Sequence, residues 1–374
     1  MQLIFFQICL SPHQLPYIKE LPKHNGIDKV VIVVPTITSE KRERIGWDAK
    51  SLTNIEDIEI RINPSNEEIE NLYQLLSNDD YLFFSGINAF PDVTRWMKIS
   101  LKYDLKRAII TECPNLYKRP LFLHAIRFLL KDLRFVKHFN DVFLIGEEYI
   151  WYYRLWSKKW NIHNFIYCTE WQERFSQMNL NQQHVKMLFV GSLIKLKNVG
   201  LIFNSLDRMP EEQKQIYEIG IVGDGPEREE LQKQANKTSI RTVFYGSQPM
   251  NEVQKIMQEY DVLILPSLYD GWGAVVNEAL TLGLYVICSD ACGAKDLLKD
   301  PRCGSVFKRG DSDDLKTRII NCAEQIDALR EDIPYRIDWA RKSIKGDVVA
   351  KYLVDILCSE PETIPWIDNN SKQG

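Results

Sequence analysis

Residues 261–283 read DVLILPSLYDGWGAVVNEALTLG, and this stretch decides the fold. Val262–Leu265 is a short unbroken apolar run, the pattern of a strand buried on both faces. Pro266, Ser267, Asp270, Gly271 and Gly273 then supply a loop, and Ala274–Leu282 has helix-forming composition. Strand, glycine loop and helix in that order form half of a parallel βαβ unit. Backbone amides at the start of such a helix carry partial positive charge and suit a phosphate. Glu278 stands about one turn into the helix, where a carboxylate can accept two sugar hydroxyls. Phosphate-binding amides beside a hydroxyl-binding carboxylate suit a nucleotide sugar.

The same alternation runs along the rest of the chain. Strands are predicted at Leu3–Cys9, Lys29–Val34, Ile58–Ile62, Tyr81–Ser85, Arg107–Thr111, Val142–Ile145 and Asn164–Cys168, with helices at Glu67–Leu76 and Leu121–Phe139 among them. Thr169–Val185 is polar, rich in Gln and Asn, and reads as a linker. Strands resume at Lys186–Val190, Tyr217–Val222, Thr242–Tyr245 and Leu284–Cys288, with helices at Val199–Asp207, Glu227–Asn236 and Asn251–Glu259. Two α/β domains follow, each Rossmann-like and doubly wound: residues 1–170 and residues 186–344. Val349, Tyr352, Leu353 and Ile356 give residues 345–358 one apolar helix face.

Composition bounds the function. At 374 residues the chain has room for two cores, and its 45% hydrophobic and 26% charged content are ordinary for a water-soluble domain. A formal charge of −4 argues against nucleic-acid binding by bulk electrostatics. The eight cysteines form neither a C-x-x-C pair nor a zinc spacing, which favours a reducing cytoplasm. The opening MQLIFFQICL lacks a basic leader, and no stretch approaches the roughly 20 apolar residues of a membrane span. Any membrane association is therefore expected to be peripheral.

Residues 270–283 resemble the donor-site signature of the retaining glycosyltransferases of family 4, E-x(7)-E followed by A-x-x-x-G. Asp270 takes the first acidic place, shorter by one methylene than the usual Glu, and Glu278, Ala279 and Gly283 match the rest. The stretch KMLFVGSLIKLKNVG at 186–200 is similar to the family's phosphate loop, with Gly191, Leu193 and Lys197 in place and Ser192 where an arginine is usual. Gly223-Asp224-Gly225-Pro226 looks like the family's G-x-G-P loop near the nucleotide, and Phe244-Tyr245-Gly246 like the segment that passes the base. A dinucleotide G-x-G-x-x-G is excluded there, because Arg228 holds the third glycine place.

The resemblance implies the GT-B fold, in which two Rossmann-like domains face a central cleft and a C-terminal helix, here about 345–358, crosses back onto the first. It implies a retaining hexosyltransferase using a nucleoside-diphosphate sugar as donor substrate, with no metal and no further cofactor. Lys197 would meet the charge that builds on the leaving diphosphate. Gly191, Ser192, Gly223, Gly225, Tyr245, Gly273, Ala274 and Val275 would line the nucleotide and its phosphates, Glu278 the ribose, and Asp270 the transferred sugar. In the first domain the family carries a sugar-contacting histidine that no motif locates here. His13 and Glu112 follow strand ends, the favourable address, while His124, His138 and His163 compete.

Residues 118–137 hold six Lys or Arg and one acid. They read either as a core-packed helix with a basic outer face or as an amphipathic helix resting on anionic lipid. The acceptor expected from family habit is a glycan or lipid-linked hydroxyl in bacterial surface-polysaccharide synthesis, at the inner face of the cell membrane. The alternatives are a nucleotide-sugar epimerase of the same architecture and a nonenzymatic nucleotide-sugar binder.

Overall fold

The computed structural model describes residues 1–38, 52–53, 55–115, 117, 120–174, 184–358 and 363–368. The middle of the polar stretch expected as a linker, 175–183, lies outside the described residues, as do 118 and 119. The chain forms two compact units, Met1–Glu170 with Lys345–Ile364, and Trp171–Ile344 with the residues from Pro365 onward.

In the first unit, β1 (Gln2–Phe6), β2 (Lys29–Val34), β3 (Ile58–Ile62), β4 (Tyr81–Ser85), β5 (Lys106–Glu112), β6 (Asp141–Ile145) and β7 (Asn161–Phe165) form a parallel sheet of order β3-β2-β1-β4-β5-β6-β7. Register sets Phe5 against Phe83 and Phe6 against Phe84, and each pair stacks, with ring centroids 4.6 and 4.8 Å apart. Strands buried on both faces need residues of this size to fill both layers. The helix Gly346–Leu357 belongs to this unit and packs on Leu15–Ile18 and Leu21–Lys23. A Cβ on Gly346 would stand 2.3 Å from the Pro16 carbonyl oxygen, so only glycine admits this approach.

The last strand is displaced from its expected place at Asn164–Cys168. Asn161–Phe165 pairs with β6 in register, and the chain then leaves the sheet. The Cys168 amide donates instead to the His13 carbonyl at 2.9 Å. Ile166 and Cys168 remain fully buried there, so the apolar run marked burial rather than pairing. The single helix expected at Leu121–Phe139 is three pieces: α-helix Leu121–Arg127, a π turn Phe128–Asp132 and a 3-10 turn Leu133–His138. Asn88, at φ 48°, donates to the Lys131 carbonyl at 3.1 Å and to Asp132 Oδ1 at 2.8 Å. Those bonds draw the backbone out of a regular ladder.

In the second unit, β8 (Val185–Val190), β9 (Tyr217–Val222), β10 (Arg241–Gly246), β11 (Val262–Leu265), β12 (Tyr285–Ser289) and β13 (Gly304–Phe307) form a parallel sheet of order β10-β9-β8-β11-β12-β13. The short β13, not anticipated from the sequence, pairs with β12 from Val286 to Ser289. Helices Ile326–Glu331 and Ile333–Ser343 fasten the opposite, N-terminal end of the sheet through two buried arginines. Arg330 grips Asp261 with Nε to Oδ1 at 2.8 Å and also donates to the His184 carbonyl at 2.8 Å. Arg336 donates to the Gly283 and Arg302 carbonyls at 2.7 and 3.0 Å, and burial lowers its guanidinium to about 10. The cysteines are free thiols, and most pack as small buried hydrophobes.

Candidate functional site

In the second unit the strand order reverses between β8 and β11, which lie side by side while their connections depart in opposite directions. Such a switch point leaves an opening at the strands' carboxyl ends, flanked by the two following loops. Here those loops are 191–198 and 266–274, and the Leu268 amide joins them by donating to the Leu196 carbonyl at 2.8 Å. Lys197 Nζ then reaches Asp270 Oδ2 at 2.5 Å, bringing together two predicted site residues 73 positions apart.

Local geometry holds both groups. Lys197 ends the one-turn helix Lys195–Lys197, which Asn198 terminates at φ 50°, a conformation Asn tolerates better than most residues. Asp270 is pinned on both sides, its amide donating to Ala291 O at 3.0 Å and its carbonyl accepting from Gly293 N at 3.1 Å. Gly273 has φ 91°, and a Cβ there would stand 2.7 Å from Cys292 Sγ and 2.9 Å from Leu265 Cδ2. The buried Trp272 donates its indole N–H to Asn277 Oδ1 at 2.7 Å, tying the loop to the helix that follows.

That helix, Val275–Thr281, has Ala274 at its N-cap. The Val276 amide donates to Gly273 O at 2.9 Å, whereas among the described residues no acceptor takes the amides of Gly273, Ala274 and Val275. Glu278 is half-buried, and its carboxylate makes no hydrogen bond or ion pair among the described residues. Desolvation alone pushes that carboxyl up to about 7. A desolvated carboxylate without a partner is costly to the folded chain, and a bound hydroxyl pair would relieve it.

The remaining predicted residues of this unit lie at the same end of the sheet. Gly191 donates to Val222 O at 3.0 Å, Gly223 to Gly246 O at 2.8 Å and Leu193 to Asp224 O at 2.9 Å, stitching three loops together. A Cβ on Gly223 would stand 1.9 Å from Gly191 O, and one on Gly225 2.4 Å from Leu193 O. Backbone packing between loops is thus sufficient reason for both glycines. Ser192 is half-buried on the first loop. The Tyr245 hydroxyl bonds that of the buried Tyr260 at 3.0 Å. Arg309 was not singled out by the sequence; it donates to the Leu268 carbonyl at 3.4 Å and brings an exposed guanidinium to the loop that bears Asp270. It follows β13, so missing that strand meant missing its loop.

In the first unit His13 follows β1 and Glu112 ends β5. Tyr167 links them, donating to Glu112 Oε1 at 3.1 Å with its ring 6.4 Å from that of His13. Burial, reinforced by the Glu112 charge, pushes the Tyr167 hydroxyl well up. Glu112 also lines a cavity of about 190 Å³ with Thr111, His124, Arg127 and Tyr153. His124 is bound to the Asn115 carbonyl at 3.1 Å. His163 sits elsewhere: its Nε2 meets Asp141 Oδ1 at 2.8 Å, and Tyr81 donates to the other carboxylate oxygen at 2.5 Å. Tyr81 and Asp141 open their strands, so this trio lies toward the end of the sheet opposite the strands' carboxyl ends. His138 is half-buried in the 3-10 turn, and desolvation lowers its imidazole.

Residues 171–336 match the family described as glycosyl transferases group 1. The sulfoquinovosyl transferase SQD2 of Arabidopsis thaliana is 29% identical over 170 residues, covering 44% of this chain and 32% of that protein. The lipopolysaccharide glucosyltransferase WaaG of Escherichia coli is 27% identical over 173 residues, 46% of this chain and 44% of that protein. The matched region therefore spans about a third to less than half of these curated relatives. The crystal structure of Anabaena Alr3699/HepE in complex with UDP superposes with a TM-score of 0.69 at 14% identity, over 96% of this chain and 100% of that one. The fold is accordingly that of the GT-B glycosyltransferases, two parallel α/β sheets in two units.

Proposed function

We propose that this chain is a retaining glycosyltransferase that moves a hexose from a nucleoside-diphosphate sugar to a hydroxyl of a glycan or lipid-linked acceptor. One observation carries the reading: at the switch point of the second unit, Lys197 and Asp270 are paired beside a helix start whose first amides, like the Glu278 carboxylate, have no partner among the described residues. The match of residues 171–336 to glycosyl transferases group 1 supports it. The donor diphosphate lies against the amides of Gly273, Ala274 and Val275, next to the loop of Gly191 and Ser192. Lys197 exchanges part of its bond to Asp270 for the diphosphate, and stabilises the charge that grows as the glycosidic bond breaks. Glu278 accepts the two ribose hydroxyls. Asp270, freed in part from Lys197, orients the sugar. Gly223, Gly225 and Tyr245 border the nucleotide.

The acceptor oxygen attacks from the leaving-group face, the departing phosphate takes its proton, and configuration is kept. No metal enters this scheme, because amides and lysine carry the phosphate charge. Tyr167 positions Glu112 beside His13 in the first unit, the set we assign to the sugar and acceptor. A role in surface-polysaccharide synthesis at the cytoplasmic face of a membrane fits these chemistries and the activities named for the bacterial relatives.

The test is a thermal-shift screen against UDP, GDP, ADP, CMP and their sugars, with NAD as control. Stabilisation by one nucleoside diphosphate and its sugars is expected, by about 2.7 kcal/mol at a hundredfold excess over Kd. Folded protein that responds to none of them, or only to NAD, refutes the reading.

A further inference from the structure

Among the described residues of the second unit, Arg309 is the one exposed arginine that no carboxylate answers. Arg208, Arg241 and Arg341, the other exposed ones, meet Asp313, Glu218 and Glu173 at 2.9, 3.3 and 3.9 Å. The Arg309 guanidinium makes a single long bond, from Nη1 to the Leu268 carbonyl at 3.4 Å. A neutral carbonyl at that distance leaves most of the donor fork open.

The loop that presents this side chain is held in place at several points. Gly310 turns at φ 75°, and the Asp311 amide donates to Lys308 O at 3.0 Å. Asp311 Oδ1 accepts from the Asp313 and Asp314 amides at 3.1 Å, capping the helix Ser312–Glu324. Asp290, just past β12, accepts from the Arg309 amide at 2.9 Å and donates its own amide to Phe307 O at 2.8 Å. Ala291 and Gly293 of the same segment bond the amide and the carbonyl of Asp270. Residues 290–293 thus fix Arg309 and Asp270 from one piece of backbone. Both stand on the β11–β13 side of the switch point, whereas Gly223 and Tyr245 belong to β9 and β10 on the other.

Charge on the Asp270 side is unbalanced. Lys197 spends its charge on Asp270 at 2.5 Å, while the guanidinium resting on the 266–274 loop has no anion to meet. Sugar hydroxyls would leave it so. A carboxylate would accept two parallel bonds from its fork.

We propose that Arg309 is a specificity-determining residue for an acidic donor sugar, a hexuronosyl group whose carboxylate it grips while Asp270 orients the ring, an assignment that rests on the nucleotide-sugar reading above and narrows its substrate class.

The experiment is calorimetric titration of the full chain with UDP, UDP-glucose and UDP-glucuronate, and with GDP, GDP-mannose and GDP-mannuronate. For whichever nucleotide binds, the wild type should hold the uronate conjugate at least about tenfold tighter than the neutral one. Arg309→Gln should erase that preference and leave affinity for the plain diphosphate and the neutral conjugate within about twofold. Arg309→Lys should keep part of it, since a point charge replaces the fork. Lys195→Gln, which removes an exposed cation from the neighbouring loop, should leave it intact. Arg309 is exposed, so its variants should melt with the wild type. Equal wild-type affinity for neutral and acidic conjugates overturns the proposal and spares the enzymatic reading. A preference that survives Arg309→Gln, or that Lys195→Gln removes instead, also overturns it. So does an equal loss of the plain diphosphate in Arg309→Gln, since the guanidinium would then serve phosphate. Folded wild type that binds none of these ligands ends both readings.

Discussion

Replacing Glu278 with glutamine should make the ligand-free protein more stable at pH 8 and less able to hold its donor. The carboxyl titrates at about 7 against an ordinary 4.5, because it is desolvated and nothing in the described structure compensates its charge. At 1.36 kcal/mol per pKa unit, ionising it in the folded chain costs up to about 3 kcal/mol more than in the unfolded chain. The sign follows from linkage. Below pH 4.5 both states are protonated and no penalty exists; between 4.5 and 7 the folded state holds the extra proton, so stability falls as pH rises. Above pH 7 the penalty is complete. Glutamine keeps the shape and removes the charge, so the stability gap between variant and wild type should open from near zero at pH 4.5 to about 3 kcal/mol at pH 8. Urea unfolding of both proteins at several pH values measures this gap directly. A gap that stays flat with pH, or a glutamine variant less stable at pH 8, refutes the argument that an uncompensated carboxylate sits there. In the same buffers, wild-type affinity for the donor nucleotide should rise with pH through 7, since hydroxyls bind the ionised form, and the variant's should not.

Three further outcomes are expected. Lys197→Ala should lower turnover by more than it raises the donor's dissociation constant, because its cation acts on charge that develops during the reaction; equal losses in steady-state kinetics and titration would make it a binding residue instead. Gly273→Ala should destabilise the second unit by roughly 2–4 kcal/mol, combining strain at a positive φ with a methyl forced against Cys292 and Leu265; a denaturation midpoint within error of wild type would contradict the geometry. Arg330→Met leaves the Asp261 carboxylate buried without its cation and should cost about 3–5 kcal/mol, read from the same denaturation curves.

Much of the fold was legible because its strands are buried on both faces. A run such as VVIVV or VLIL is uninterrupted in sequence for the same reason that it is central in a sheet, and flanking glycines and prolines mark its ends. The failures share a cause. Ile166 and Cys168 are as apolar as a strand but buried beyond the sheet's edge, and Gly304–Phe307 is too short and mixed to stand out from its loop. The helical spacing of 121–138 revealed a stripe of leucines and aromatics without showing that part of it faces outward, or that Asn88 would break the helix into three windings.

The candidate site divides in the same way. Residue types and spacing nominated a phosphate-binding helix start and a carboxylate one turn later, and the resemblance to a family's phosphate loop nominated the lysine of an earlier loop, since each is a local pattern spanning a dozen positions or fewer. Tertiary structure alone decided that Lys197 bonds Asp270 across 73 residues, that Tyr167 bridges His13 and Glu112, and that His163 is spent on Asp141. It alone raised Glu278 toward neutrality, because desolvation sums over every atom packed around a group, wherever those atoms lie in the chain. Periodicity reports which faces can be buried; what a buried charge costs, and what answers it, depends on neighbours that only folding supplies.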